Sequence, residues 1–152
     1  MPDFESSLNE VLINIFNSIT KYEEKSLKSL SNNAITATEA HILEAIAKAG
    51  ESVTVSDIAA ALNVALPTAT VALKKLEGKG LITRAPCADD GRRSLISLTE
   101  HGAKLNKAHA YFHKKLVQGI SGGFTEEEKE ILLTATEKLY EYFKEKADNN
   151  EY

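Results

Sequence analysis

LPTATVALKKLEGKGLITRAPCADDGRRSLISLT, residues 66–99, is the stretch on which the fold turns. Pro67 suits the first turn of a helix, because its missing N–H would have had no partner there. Gly80 supplies a C-terminal stop, so a helix is expected to run to Lys79. Its inward positions are expected to be Val71, Leu73 and Leu76, leaving Thr68, Thr70, Lys74 and Lys75 for the outer faces. LITR (81–84) and SLISL (94–98) follow, two short β-prone runs joined by a loop containing Asp-Gly, the usual hairpin punctuation. Two arginines, Arg92 and Arg93, stand at the tip of that hairpin.

Upstream, Thr54 and Asp57 carry an N-terminal helix signature ahead of Ile58, Ala59 and Leu62, which predicts a short helix ending near Asn63. Thr36 with Glu39 makes a capping box, opening a helix through Ala47 with an inward stripe of Ile42, Leu43 and Ile46. Phe4, Leu8, Val11, Leu12, Ile15, Phe16, Ile19 and Tyr22 recur at helical spacing, predicting a long amphipathic helix over 5–30. Downstream, a helix is expected from Thr99 to about Gln118, broken by GISGG (119–123). Thr125 and Glu128 then cap a last helix carrying Ile131, Leu132, Ala135, Leu139 and Phe143. The fold class expected is mainly α with a small β-hairpin.

With 152 residues, 43% of them hydrophobic, the chain suits one domain spanning 1–152. No apolar run approaches the roughly 18 residues that cross a bilayer, and the N-terminus lacks a signal core, so a cytoplasmic protein with no membrane partner is expected. The lone Cys87 agrees with a reducing compartment. An exposed thiol beside arginines could sense oxidants, but an ordinary hairpin residue is the simpler reading. The net charge of −4 would argue against nucleic acid, yet it hides a local excess. Residues 66–93 hold 6 basic side chains against 3 acidic, while both flanks are net negative.

Two short helices joined by a tight turn form a helix-turn-helix, whose second helix can enter the DNA major groove. Hydroxyls and ammonium groups there can meet bases or phosphates. The hairpin is then a wing, and an arginine at its tip can reach a narrow minor groove of strong negative potential. Pro67, Thr68, Thr70, Lys74 and Lys75 are the DNA-facing residues expected from the helix, and Asp90, Arg92 and Arg93 those from the wing. The carboxylate of Asp90 is expected to orient the Arg92 guanidinium. Lys79 and Arg84 are read equally well as phosphate contacts or as solvated surface. An enzyme is not expected. The chain has no Gly-x-Ser-x-Gly, no phosphate-cradling glycine loop and no Cys paired with a neighbouring His.

Asp90-Gly91-Arg92, then Leu95, Ile96, Leu98-Thr99 and Gly102, resembles the wing signature of the MarR family of bacterial regulators. The resemblance implies a winged helix-turn-helix core over about 35–102, flanked by dimerisation helices over 1–34 and 103–152. It further implies a homodimeric repressor on a pseudo-palindromic double-stranded operator. INIFNSI (13–19), Glu23-Glu24, YFHKKLV (111–117), GFTEEE (123–128) and LYEYF (139–143) are similar to the FabT-type fatty-acid-synthesis repressors of that family. That likeness implies control of fatty-acid-synthesis genes, with long-chain acyl-acyl carrier protein as corepressor. Ile15, Phe16, Ile19, Ile42, Ile46, Phe112 and Leu116 could line a slot for the acyl chain.

A metal is the alternative. His109 and His113 are four residues apart on one helix, a spacing able to present two imidazoles to one ion, and His41 and Glu24 lie on helices that could pack nearby. Zinc-sensing members of the MarR family carry a similar set. The stripe His109, Phe112, His113, Leu116 equally fits a dimer face with hydrogen-bonded histidines, so the preferred expectation is no cofactor.

Overall fold

The computed structural model describes residues 3–31 and 35–149. Helix α1 spans Phe4–Ser31, α2 Ala37–Ala49, strand β1 Val53–Thr54, α3 Val55–Ala61, α4 Leu66–Gly78, β2 Ile82–Pro86, β3 Ser94–Leu98, α5 Glu100–Ser121 and α6 Glu126–Asp148. The architecture is the expected one, mainly helical with a small antiparallel sheet. Two compact units divide the chain, one ending at Phe112 and the other beginning at His113, so α5 contributes to both. Among the described residues no single helix is long and apolar enough to cross a membrane.

In the first unit, helix starts follow the capping signals. Thr36 with Glu39 and Thr54 with Asp57 each form a reciprocal capping box, satisfying two N–H groups that a helix start leaves without partners. Helix ends use one device twice. After α3, Val64 N–H donates to the Ala59 carbonyl and Asn63 N–H to that of Ala60, with Asn63 at φ +52°. After α4, Leu81 N–H donates to Leu76 and Gly80 N–H to Glu77, with Gly80 at φ +70°. Both are Schellman closures, in which a left-handed residue lets the chain turn sharply off the helix. The first makes the tight turn of the helix-turn-helix, and the second aims the chain into β2.

The sheet order is β1-β3-β2, all antiparallel. The hairpin strand starts one residue later than LITR and extends to Pro86, which pairs with Ser94. Proline is tolerated there because β2 is an edge strand. Strand β1 is an addition to the expected hairpin: Val53 pairs with Ile96 and Thr54 with Leu95. Two residues cannot show an alternation, so only their tertiary partner defines the strand. Leu43, Ile46, Ile58, Leu73, Leu76, Leu81, Ile82 and Ile96 are buried in one cluster, which Leu27 of α1 and Leu105 of α5 join.

The Leu98-Thr99 and Gly102 signature has a packing reason. Thr99 donates its hydroxyl to the Gly80 carbonyl at 2.7 Å and accepts the Gly102 N–H at 3.0 Å, capping α5 and tying it to the end of α4. A Cβ at Gly102 would lie 2.0 Å from the Leu81 carbonyl oxygen, so no larger residue fits.

In the second unit, α5 runs through Gly119 to Ser121, past the break expected at GISGG. One glycine inside a helix costs only about 1 kcal/mol, too little to stop it. The turn is made at Gly122 and Gly123, whose N–H groups bond to Gln118 and Ile120. The expected Thr125–Glu128 capping box opens α6, which buries none of its residues.

Candidate nucleic-acid interface

Helix α4 packs through Ala69, Leu73 and Leu76, all at most 1% exposed. This corrects the expectation for Val71, which is 57% exposed. Val71 stands two residues, about 200° of helix rotation, from both Ala69 and Leu73, so it faces directly away from the core. The small Ala69 fills the inward place. Pro67, Thr68, Thr70, Lys74 and Lys75 are all exposed, as expected. The Thr70 hydroxyl donates to the Leu66 carbonyl at 2.9 Å, so its proton is committed to its own helix.

The wing closes through the Cys87 N–H to Arg93 carbonyl bond at 2.9 Å and a turn in which Arg93 N–H donates to the Asp90 carbonyl at 3.0 Å. Asp90 works differently from expectation. Its Oδ1 accepts the backbone N–H of Arg92 at 3.0 Å, an Asx turn that shapes the tip and does not clamp the guanidinium. Asp90, Arg92 and Arg93 are all exposed.

The basic residues of 66–93 divide into two groups. Lys79 Nζ pairs with Glu39 at 2.7 Å, fastening the end of α4 to the start of α2. Arg84 Nε lies 3.6 Å from Glu77 while its Nη2 donates to the Thr70 carbonyl at 3.5 Å. Those distances make the Glu77 contact an ion pair without a hydrogen bond, which agrees with Arg84 Nε being buried without a hydrogen-bond partner. Lys79 and Arg84 therefore hold elements together. Lys74, Lys75, Arg92 and Arg93 form no ion pair among the described residues and stay available to an external anion. Arg93 does contribute a weak attraction that helps lower the Asp57 carboxyl below its ordinary value, after the larger effects of the Thr54 backbone and hydroxyl bonds.

The candidate ligand residues do not gather into one enclosed space in the first unit. Ile42 and Ile46 are core residues, 2% exposed, whereas Ile15, Phe16 and Ile19 are exposed on α1 at 49%, 70% and 39%. Phe112 is buried beneath Tyr22, with ring centroids 5.1 Å apart. Leu116 is half-buried on the second unit.

Of the candidate metal ligands, Glu24 is replaced by its neighbour. Glu23, 6% exposed, places Oε1 2.8 Å from His41 Nε2 and 2.7 Å from His109 Nε2, which is 1% exposed, tying α1, α2 and α5 together. Glu24, one residue and about 100° further round α1, lines a hollow with Leu27, Lys28 and Ile35 instead. His113 follows one turn beyond His109 on α5. The signal that could have found it is helical spacing: Glu23 stands four residues before the buried Leu27, on the same face of α1.

A helix-turn-helix with an edge hairpin beside its second helix, and exposed cations without ion pairs on both of those elements, defines a winged-helix regulator. Comparison with known proteins agrees. The model described as MarR family matches residues 35–93. Transcriptional regulator ZitR of Lactococcus lactis is 35% identical over 117 residues, covering 75% of this chain and 79% of its own. Streptococcus pneumoniae FabT, solved in complex with DNA, matches with a TM-score of 0.88 at 33% identity over 93% of this chain and 98% of its own. S. aureus MepR, also solved with DNA, gives 0.75 at 27% identity over 93% and 99%. The chain belongs to the MarR family of DNA-binding transcriptional regulators.

Proposed function

We propose that the protein is a homodimeric repressor that lays its two α4 helices in successive major grooves of a pseudo-palindromic operator and inserts Arg92 of each wing into the flanking minor groove. The observation that carries this reading is the different use of the cations: Lys79 and Arg84 are paired internally, while Lys74 and Lys75 on α4 and Arg92 and Arg93 on the wing are exposed and make no ion pair among the described residues. Pro67 and Thr68 start the helix at the base edges, and Asp90 sets the shape of the wing tip. Cation contacts of this kind supply affinity through counterion release, while base edges supply sequence preference.

The regulon proposed is fatty-acid synthesis, with a long-chain acyl group on acyl carrier protein as corepressor. What supports it is the likeness to FabT over nearly the whole of both chains together with the apolar side chains that α1 leaves uncovered. The ligand would raise operator affinity by binding better to the dimer arrangement whose α4 helices are about 34 Å apart than to other arrangements. The test is operator binding, measured by fluorescence anisotropy, with and without acylated carrier protein. Enhancement by the acylated and not the free carrier supports the reading, and indifference to both overturns it. Phe16→Trp should abolish the enhancement and keep basal binding. Ile46→Trp is unsuitable for this purpose, because a larger ring in the core would overpack it.

A zinc-responsive repressor is the second reading, favoured by Glu23, His41 and His109 converging in the first unit. Their chemistry suits zinc, but their spacing is that of hydrogen bonds. Tetrahedral zinc with bonds of about 2.0–2.1 Å would hold its donors about 3.3 Å apart. Contacts of 2.7 and 2.8 Å between carboxylate and imidazoles are satisfied by protons, which zinc would have to displace. The acyl reading is preferred. Operator affinity that rises with micromolar zinc, falls with chelator and ignores acylated carrier would reverse that preference.

A further inference from the structure

We propose that Val71 reads the 5-methyl group of a thymine in each operator half-site, a specificity role that rests on the reading that α4 enters the major groove. Val71 occupies the centre of the face of α4 turned away from the core, and it is 57% exposed there. Pro67 and Gly78 lie along the same outward line, one and two turns away, and neither carries a polar side chain. Thr68, Lys74 and Lys75 lie about 40–60° to either side of that line, so Val71 is the apolar side chain at its centre.

Its polar neighbours stand to either side. Thr68 and Lys75 border an open groove between α2 and α4 together with Val71, and Lys74 lies on the opposite flank. The Thr70 hydroxyl proton is held by the Leu66 carbonyl. When such a face meets a major groove, the branched side chain at its centre is the first to lose its water. Opposite a base edge bearing only donors and acceptors, that approach would strip water from polar groups without replacing their hydrogen bonds. Among the major-groove edges only thymine presents an apolar group, its 5-methyl, and apolar side chains are its usual partners.

The test begins with an operator obtained by selection from random duplexes with the wild-type protein. Each thymine of a half-site is then replaced in turn by deoxyuridine, which lacks only the methyl, and affinity is measured for wild type, Val71→Ala and Arg92→Ala. One thymine per half-site should matter to the wild type, by about fourfold for one half-site and about fifteenfold for both, the effect of returning a methyl-sized contact to water. Val71→Ala should bind thymine and uracil operators equally while its helical circular dichroism is unchanged, since alanine is the better helix former at an exposed position. Arg92→Ala should keep the discrimination at lower affinity. Wild-type binding that is indifferent to every replacement would overturn the proposal alone, as would discrimination undiminished in Val71→Ala. A wild-type protein that selects no duplex would overturn the DNA-binding reading and this proposal with it.

Discussion

Arg92 and Gly102 belong to one sequence signature but act in separate ways, and single substitutions tell them apart. Arg92 is exposed at the wing tip and makes no ion pair among the described residues, so Arg92→Ala should leave stability within about 0.5 kcal/mol of wild type. It should nevertheless weaken operator binding by about tenfold or more, read by anisotropy, because both wings would enter the minor groove without their guanidinium. Gly102→Ala should do the reverse. The new Cβ would meet the backbone carbonyl oxygen of Leu81 at 2.0 Å, where no flexible side chain can give way, and thermal unfolding should report a loss of about 3 kcal/mol or more. Asp57 provides a pH test. Its carboxyl is held below the ordinary value first by the Thr54 backbone N–H and then by the Thr54 hydroxyl. A lowered folded-state value gives stabilisation that is complete above the unfolded carboxylate's range and is lost as pH falls through the folded value. Asp57→Asn should therefore flatten stability against pH across that acidic window and leave the profile above about pH 6 unchanged in shape.

At the scale of elements, the capping boxes and the left-handed helix end after α4 are legible in sequence because each is written in a local pattern: Thr36 with Glu39, Thr54 with Asp57, Thr125 with Glu128, and Gly80. What escapes a sequence reading depends on partners distant in the chain. Strand β1 exists only through Ile96 and Leu95, and which face of α1 turns inward, that of Glu23 and Leu27 rather than that of Glu24, is set by where the helix packs. Val71 reads as inward because it is apolar, although its position relative to Leu73 and Leu76 places it outside and the smaller Ala69 inside. Of the residues expected to face DNA, the exposure of Thr68, Thr70, Lys74 and Lys75 on α4 is legible from helical period, but the backbone role of Asp90 in the wing is not. Two of these elements can be tested through their charges. Lys74→Ala and Lys75→Ala should each lower the magnitude of the slope of log K against log salt by about 0.9 for every phosphate no longer neutralised, so by about 2 for a dimer. Glu23→Ala removes the carboxylate that joins α1, α2 and α5, leaving His109 buried without it. That change should cost about 3 kcal/mol in chemical denaturation, the low end for a broken buried pair because His41 is half exposed.

For the whole molecule, the uncovered apolar surface is the feature that one chain cannot explain. In the first unit α1 leaves Phe4 and Val11 exposed at 78% and 51%, apart from the Ile15 and Phe16 assigned to the acyl chain. In the second, α6 carries Ile131, Leu133, Tyr140 and Phe143 at 58% or more exposed and buries nothing. Patches of this kind mark interaction surfaces, and the second copy in the proposed homodimer is an occupant of matching chemistry. A dimer with two-fold symmetry then demands an operator with the same symmetry, its half-sites one helical turn apart, so residue, element and assembly converge on a single outcome. The measurement that tests it most directly is selection of the wild-type protein against a pool of random duplexes, followed by sequencing of the bound fraction. A two-fold dimer of winged helices should recover an inverted repeat with half-site centres about 10 base pairs apart. A bound fraction no different from the starting pool, or a single site without a repeat, would contradict it.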